Sequence, residues 1–421
     1  MSRVPRPSLP RPDVSLPAPV ARLLTALGLP VTATAEYWRQ ERRAIRDSAS
    51  ALGVGLLATL VAGTVLGSAT GQLEEAPGLL ALIPAAIGMR GSIFGALAAR
   101  LGTGILTGEF EGELRRASFL GRQIEAVTIL SVTTATQAGI LAWIISTLLG
   151  LPVIPVLELI AISLVGGLIS SVFLLLVTIG MARSANERGW NIDDVGAPII
   201  TATGDLITLP ALLLATLLLR VPIVADILGA IGLLAGLATL VLGWRHETSS
   251  IRRIVRESLV VLTFAVSLQV FAGTVIESRL DRFLDVPSLL VLIPAFVATC
   301  GSLGGMLSAR LSSKLHVGLL QPRTVPSKLA ALDVSVTFLL AVIAFVGVGG
   351  IGWFAANLAG GVDPPPAYVL VGVALVGGLI ATFILAFVAY GAAVATFRFG
   401  LDPDNHGIPI VTATMDLAGI L

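Results

Sequence analysis

PGLLALIPAAIGMRGSIFGALAARLGTGILTG, residues 77–108, decides the architecture of this chain because it occurs twice. PSLLVLIPAFVATCGSLGGMLSARLSSKLHVG, residues 287–318, matches it without a gap at 15 of 32 positions. The identities include proline, glycine and arginine, which shared hydrophobicity alone does not produce. Two further blocks recur in the same order. LVGGLI stands at 164–169 and 375–380, and GAPIITATGDL (196–206) returns as GIPIVTATMDL (407–417). The chain reads as a duplication with a repeat of about 210 residues.

The composition says what kind of unit is duplicated. Of 421 residues, 55% are hydrophobic and 13% charged, whereas soluble domains carry about 25% charge. Mean hydropathy is +0.93, which places the chain among membrane proteins, with the lipid bilayer as its surroundings. A net charge of +1 gives no reason to expect nucleic acid. The one cysteine, Cys300, excludes an internal disulfide, and three scattered histidines leave no zinc cluster. A metal handled by this chain is therefore a hard, oxygen-preferring one.

A hydrocarbon core of about 30 Å needs roughly 20 apolar residues per helix. On that basis spans are predicted near 49–69, 78–101, 124–149, 156–182, 196–219, 223–244, 258–277, 288–311, 329–352, 367–396 and 407–421. Ahead of them, the proline- and arginine-rich first 35 residues read as a disordered tail. Glu36 to Asp47 reads as a short helix on the cytoplasmic membrane surface or a solvated lead into the first span. Arginines before the first span, between the second and third, and after the sixth put the N-terminus in the cytoplasm and the C-terminus outside, in a multi-pass protein of the cell membrane.

Five helices per unit is an odd number, so two units fused directly would face opposite ways. The unmatched sixth span restores parity and orients both alike about a parallel pseudo-twofold axis. The expected organisation is all-α: a cytoplasmic tail and amphipathic helix (1–47), a first unit (48–222), a linking span and cytoplasmic loop (223–257) and a second unit (258–421). Two units in one chain imply a monomeric pseudo-dimer.

The chemistry is expected in the fifth helix of each unit. Asp205 lies nine residues after Gly196, ~14 Å along a helix and close to mid-membrane, and Asp416 lies equally far after Gly407. An aspartate at that depth costs a few kcal/mol even on lenient scales, so it is a functional candidate. Thr201 and Thr412, four residues earlier, share its helix face. The two carboxylates repel each other unless a cation stands between them; the plainer reading is that each is buried against a threonine or Arg90 within its own unit.

In the second helices, Pro84 and Pro294 precede Gly91-Ser92 and Gly301-Ser302. Gly91 with Gly95 and Gly301 with Gly305 suit close helix packing, while Ser92 and Ser302 are possible hydroxyl ligands. Asp193, Asp194, Asp402 and Asp404 lead into the fifth helices, as caps or as acids that gather or sense cations at the cytoplasmic mouth. Glu125 and Asp333, at the start of the third spans, are open to either reading. Glu158 and Gln269 have no counterpart in the repeat, which favours local packing. His246, His316 and His406 fall at helix ends, where a solvated or dipole-stabilising role is ordinary. After Asp416 only five residues follow, so the last helix is too short to cross a bilayer alone: it ends part-way, or the chain continues beyond this sequence.

These blocks resemble the membrane domain of the MgtE magnesium channels and the eukaryotic solute carriers that hold two such domains in tandem. The likeness rests on P-x6-G-S followed by ARL (84–101 and 294–311) and on P-I-[IV]-T-x-T-x-D (198–205 and 409–416). It implies a cation pathway between the units, with Asp205 and Asp416 holding hydrated Mg2+ as transported ion, no cofactor and no enzymatic step. The sequence departs from the family in a serine for the asparagine of P-x6-G-N, in Arg90 of the first unit only, and in lacking soluble magnesium-sensing domains among these residues. Rival readings are a divalent cation exchanger coupled to Na+ or H+, an intramembrane aspartyl protease and a scaffold. The protease reading lacks its motifs, since the aspartates stand in TATGDL and TATMDL.

Overall fold

A computed structural model of the protein describes residues 31–110, 115–188, 192–280, 287–316, 318–359, 365–400 and 403–421. Its long elements are all helical. In chain order they are α1 (Val31–Gln40), α2 (Arg42–Ser68), α3 (Thr70–Glu75), α4 (Leu79–Leu106), α5 (Phe119–Leu148), α6 (Val156–Arg188), α7 (Ile192–Ala215), α8 (Pro222–Trp244), α9 (Ser249–Glu277), α10 (Pro287–His316), α11 (Lys328–Ala359), α12 (Ala367–Phe399) and α13 (Pro403–Ile420).

Among the described residues, ten helices are long and apolar enough to cross a bilayer, matching the first ten expected spans. The eleventh is short, as the few residues after Asp416 imply: its apolar stretch, Pro409–Ile420, falls short of a full crossing. The amphipathic segment is divided between two helices, the second of which leads into the first span as one of the two readings expects. Glu36–Gln40 belongs to α1, but Arg42–Asp47 is the first part of the 27-residue α2. No glycine or proline interrupts that stretch, so it runs on into the apolar span.

The first helix of each half packs away from its own second helix. α2 lies against α10, α11 and α7, while α9 lies against α4, α5 and α13. Small residues permit the crossings. A Cβ on Gly63 of α2 would strike the Val291 carbonyl of α10, and one on Gly273 of α9 would lie 2.5 Å from the Ala81 carbonyl of α4. At the end of α9, Glu277 accepts from the Gly78 N–H at 3.1 Å, and the Leu80 and Ala81 amides also point to it. A carboxylate there satisfies orphan donors of the α4 N-terminus and opposes its dipole.

The linking helix α8 shows how one helix serves packing and lipid together. Ala225, Gly229, Gly232, Gly236 and Gly243 form its buried stripe against α5, α6 and α9. Ile227, Ile231, Leu234, Leu237 and Val241 form the opposite, exposed one. Glycine spacing of three and four residues lets the backbones approach so closely that the Thr136 hydroxyl donates to the Gly232 carbonyl at 3.1 Å. The outward apolar stripe is what a helix facing hydrocarbon needs.

Candidate cation site

Asp205 on α7 and Asp416 on α13 are buried, with 4% and 5% of their surfaces exposed. The helices that carry them hold a third of their residues in threonine or β-branched types, yet stay helical because the hydroxyls bond back onto the helix. Thr203 donates to the Ile199 carbonyl and Thr414 to the Ile410 carbonyl, each at 2.7 Å. Thr201 and Thr412 are half-buried, one turn before the aspartates.

The surroundings of the two carboxylates differ. Asp416 Oδ2 accepts a hydrogen bond of 2.6 Å from Gln269 Nε2, which reaches across from α9. Gln269 therefore does not serve local packing, as its lack of a repeat counterpart suggests; its amide lies against Gly88 of α4, where a Cβ would overlap it. Gly301 of α10 stands beside the same aspartate, since a Cβ there would lie 3.0 Å from Thr412 Cγ2 and 3.6 Å from Asp416 Oδ1. The second-helix glycine of the repeat thus adjoins the fifth-helix aspartate. Asp205 has no hydrogen-bond partner among the described residues, and the Asp416 carboxylate is near enough to repel it.

Gly91 and Gly95 do not form the close-packed face expected of them, for a Cβ on either meets nothing within 4 Å. Ser92 lines a small cleft of about 20 Å³ together with Ala96, Arg100, Ser258 and Pro409. It lies where α4 and α9 meet α13. Ser302 is half-buried on α10 beside Gly301. The side chains of Asp193, Asp194, Asp402 and Asp404 lie outside the described residues, as does that of His316.

Arg90 is not the partner of either aspartate. Its guanidinium is fully buried on Gly167 of α6, where Nε donates to Ser170 Oγ at 3.2 Å and both terminal nitrogens lack a hydrogen-bond partner among the described residues. In the second half, Cys300 stands at the matching position and the ring of Phe345 lies on Gly378 instead. An arginine and an aromatic ring fill corresponding spaces from different helices.

Near the arginine-rich helix ends, Glu125 meets Arg116 at 2.7 Å and His246 at 3.4 Å, so this histidine is paired rather than simply solvated. Asp333 is fully buried. Lys314 Nζ donates to both of its oxygens at 2.7 Å, and the Tyr37 hydroxyl of α1 donates to Oδ1 at 2.6 Å. With Trp38 Nε1 donating to Ser335 Oγ at 3.0 Å, this cluster fastens α1 to α11.

Two buried carboxylates, of which only Asp416 accepts a hydrogen bond among the described residues, are costly in a low dielectric unless a cation or protons neutralise them. Among the described residues no group of three or more His, Cys, Asp or Glu could enclose a bare metal ion. The chemistry on offer is two separated carboxylates, hydroxyls and an amide, which suits an ion that keeps water.

Comparison with known proteins agrees with that chemistry. The family model described as MgtE, divalent cation transporter, matches residues 83–215 and again 293–421. The chain belongs to the MgtE family. It is a multi-pass membrane protein of a divalent cation transporter family, whose members are transporters and not enzymes. Solute carrier family 41 member 3 of Mus musculus is 25% identical over 372 residues, covering 82% of this chain and 74% of the relative. The Rattus norvegicus protein of the same name is 26% identical over 362 residues, covering 81% and 77%. Solute carrier family 41 member 2 of Xenopus laevis is 23% identical over 364 residues, covering 80% and 63%. No solved structure matches the chain. Within this MgtE-family chain, Asp205 falls in the first matched segment and Asp416 in the second.

Proposed function

We propose that the protein moves Mg2+ across the cell membrane along a pathway between its two units, with Asp205 and Asp416 facing a hydrated ion. The supporting observation is the pair of buried, mutually repelling carboxylates on α7 and α13, of which one has no protein partner among the described residues. A divalent ion neutralises both charges at once. Because magnesium dehydrates reluctantly, two carboxylates and nearby hydroxyls of Thr201, Thr412, Ser92 and Ser302 touch its waters and leave the metal its shell.

In this reading the units 48–222 and 258–421 are related by an axis along the membrane normal, one chain makes the whole pathway, and the N-terminus is cytoplasmic. The cleft at Ser92 and Arg100, near the arginine-rich ends of the helices, is then the cytoplasmic approach. Asp193, Asp194, Asp402 and Asp404 flank the same side in the sequence and gather cations there.

The test is Mg2+ flux into liposomes containing the purified protein and a trapped magnesium indicator. The combined change Asp205→Asn and Asp416→Asn is expected to abolish flux while leaving the protein folded. Flux that persists in the double variant refutes the reading. Repeating the wild-type measurement with and without Na+ or pH gradients separates a passive pathway from a coupled exchanger.

A further inference from the structure

Gln269 joins three helices at the candidate site. It is carried by α9, rests in the notch left by Gly88 on α4, and donates to Asp416 on α13. It is 2% exposed, and its carbonyl oxygen Oε1 is buried with no hydrogen-bond partner among the described residues. A buried amide acceptor left unsatisfied costs ~1–3 kcal/mol, so a side chain held there by only one of its two ends has an unmet requirement for a donor or a cation shell.

The orientation of the amide is set by its neighbour. An ionised carboxylate only accepts, so the NH2 end faces Asp416 and the carbonyl oxygen faces away from it. That carbonyl is a neutral oxygen at the distance of one amide group from a carboxylate. It is the type of ligand that touches the water of a magnesium ion without adding charge. At the position 210 residues earlier in the sequence stands not an amide but Thr59 on α2, whose hydroxyl is spent on the Leu56 carbonyl at 3.1 Å. The two halves of the site are therefore chemically unlike: among the described residues Asp205 has no hydrogen-bond partner, and Asp416 is braced.

We infer that Gln269 is a further protein group of the cation site: its NH2 fixes the Asp416 carboxylate, and its carbonyl oxygen accepts from the water shell of the bound divalent cation. This rests on the reading of Asp205 and Asp416 as the ion-binding pair. The consequence is that Gln269 sets affinity and choice of ion more than the maximal rate, because a group that holds one carboxylate in place acts on binding.

Two variants test it in the liposome assay, supported by the Mg2+ concentration that half-maximally raises the thermal midpoint of the detergent-solubilised protein. Gln269→Leu removes both ends of the amide. Gly88→Ala leaves the amide intact but puts a methyl group where it rests; since the obstructed atoms are the far end of a flexible side chain, the fold survives and Gln269 moves. Loss of a hydrogen bond to a charged group corresponds to a change of about tenfold or more in an equilibrium constant. Both variants are expected to raise half-saturating Mg2+ by about tenfold in flux and in thermal stabilisation, with maximal flux changed much less, and to alter the preference for Mg2+ over Ca2+ and Mn2+. Gly55→Ala, whose methyl group meets nothing, should leave both values alone.

If the aspartate double variant loses flux but Gly88→Ala and Gln269→Leu keep wild-type half-saturation and ion preference, Gln269 is a structural brace only and the inference is overturned, with the aspartate site intact. If the aspartate double variant keeps its flux, the ion-site reading fails and takes this inference with it. Should Gln269→Leu not fold, Gly88→Ala decides alone: an unchanged half-saturation overturns the inference, and a raised one sustains it.

Discussion

Gly273→Ala tests how the two halves are fastened. The added methyl carbon would lie 2.5 Å from the Ala81 carbonyl oxygen, 2.6 Å from that of Leu80 and 2.7 Å from Ala81 Cα, all backbone atoms of α4. Backbone inside a helix cannot swing aside, so α9 must retreat by about 1 Å to reach ordinary contact distance of ~3.5 Å. Overpacking of this kind costs ~1–3 kcal/mol. The retreat also loosens Glu277, one turn further on the same face, from the three amides it caps on α4. Against this, alanine is a better helix former than glycine by about 1 kcal/mol. The net expectation is destabilisation by about 1 kcal/mol, to which the loosened Glu277 cap adds. The assay is the thermal midpoint in detergent beside Gly55→Ala, where the methyl group meets nothing within 4 Å and only the propensity gain remains. Gly273→Ala should melt below the wild type and Gly55→Ala at or above it. Gly63→Ala, which drives a methyl group into the Val291 carbonyl, should repeat the loss. Equal midpoints for Gly273→Ala and Gly55→Ala would refute the crossing of α9 over α4.

Two further outcomes follow from buried polar groups away from the aspartates. Arg90→Met removes a guanidinium whose terminal nitrogens have no hydrogen-bond partner among the described residues, so the thermal midpoint should hold or rise and Mg2+ flux should persist; a loss equivalent to ~3 kcal/mol would reveal an anionic partner instead. Tyr37→Phe removes a hydrogen bond to a buried carboxylate and should loosen α1 by ~1.5–3 kcal/mol, read as faster hydrogen exchange across residues 31–40. The same contact has a defined pH dependence. Burial first, and then the Asp333 carboxylate, push the Tyr37 phenol above its ordinary value of about 10. A folded value raised in this way contributes stability that is whole below pH ~10 and is lost only as pH climbs through the raised value. Protection of α1 should therefore be flat from pH 6 to 9; a fall between pH 6 and 8 would contradict the contact.

The linear sequence determined the all-helical character, ten of the spans and the position of both aspartates within their helices, because crossing a bilayer depends on summed hydropathy along one dimension. The glycines at 63, 67, 273 and 301 were visible as letters, but not what they adjoin. Which helix faces which is set by rotation and crossing angle, and these depend on the fit of all neighbouring side chains at once. Tertiary structure alone brought α2 and α9 across to the opposite halves. It also buried Arg90 on Gly167, paired Asp333 with Lys314 and Tyr37, and opened the space beside Gly91. Gln269 shows the difference most clearly. Its one signal in the sequence was a polar residue inside an apolar span, the signal by which Asp205 and Asp416 were found. Its lack of a repeat counterpart argued for a local role, yet an amide chooses its partner by reach, and the notch at Gly88 aims it at Asp416. The matching blocks at 196–206 and 407–417 make the two aspartates alike in sequence, and the packing of α9 makes their surroundings different.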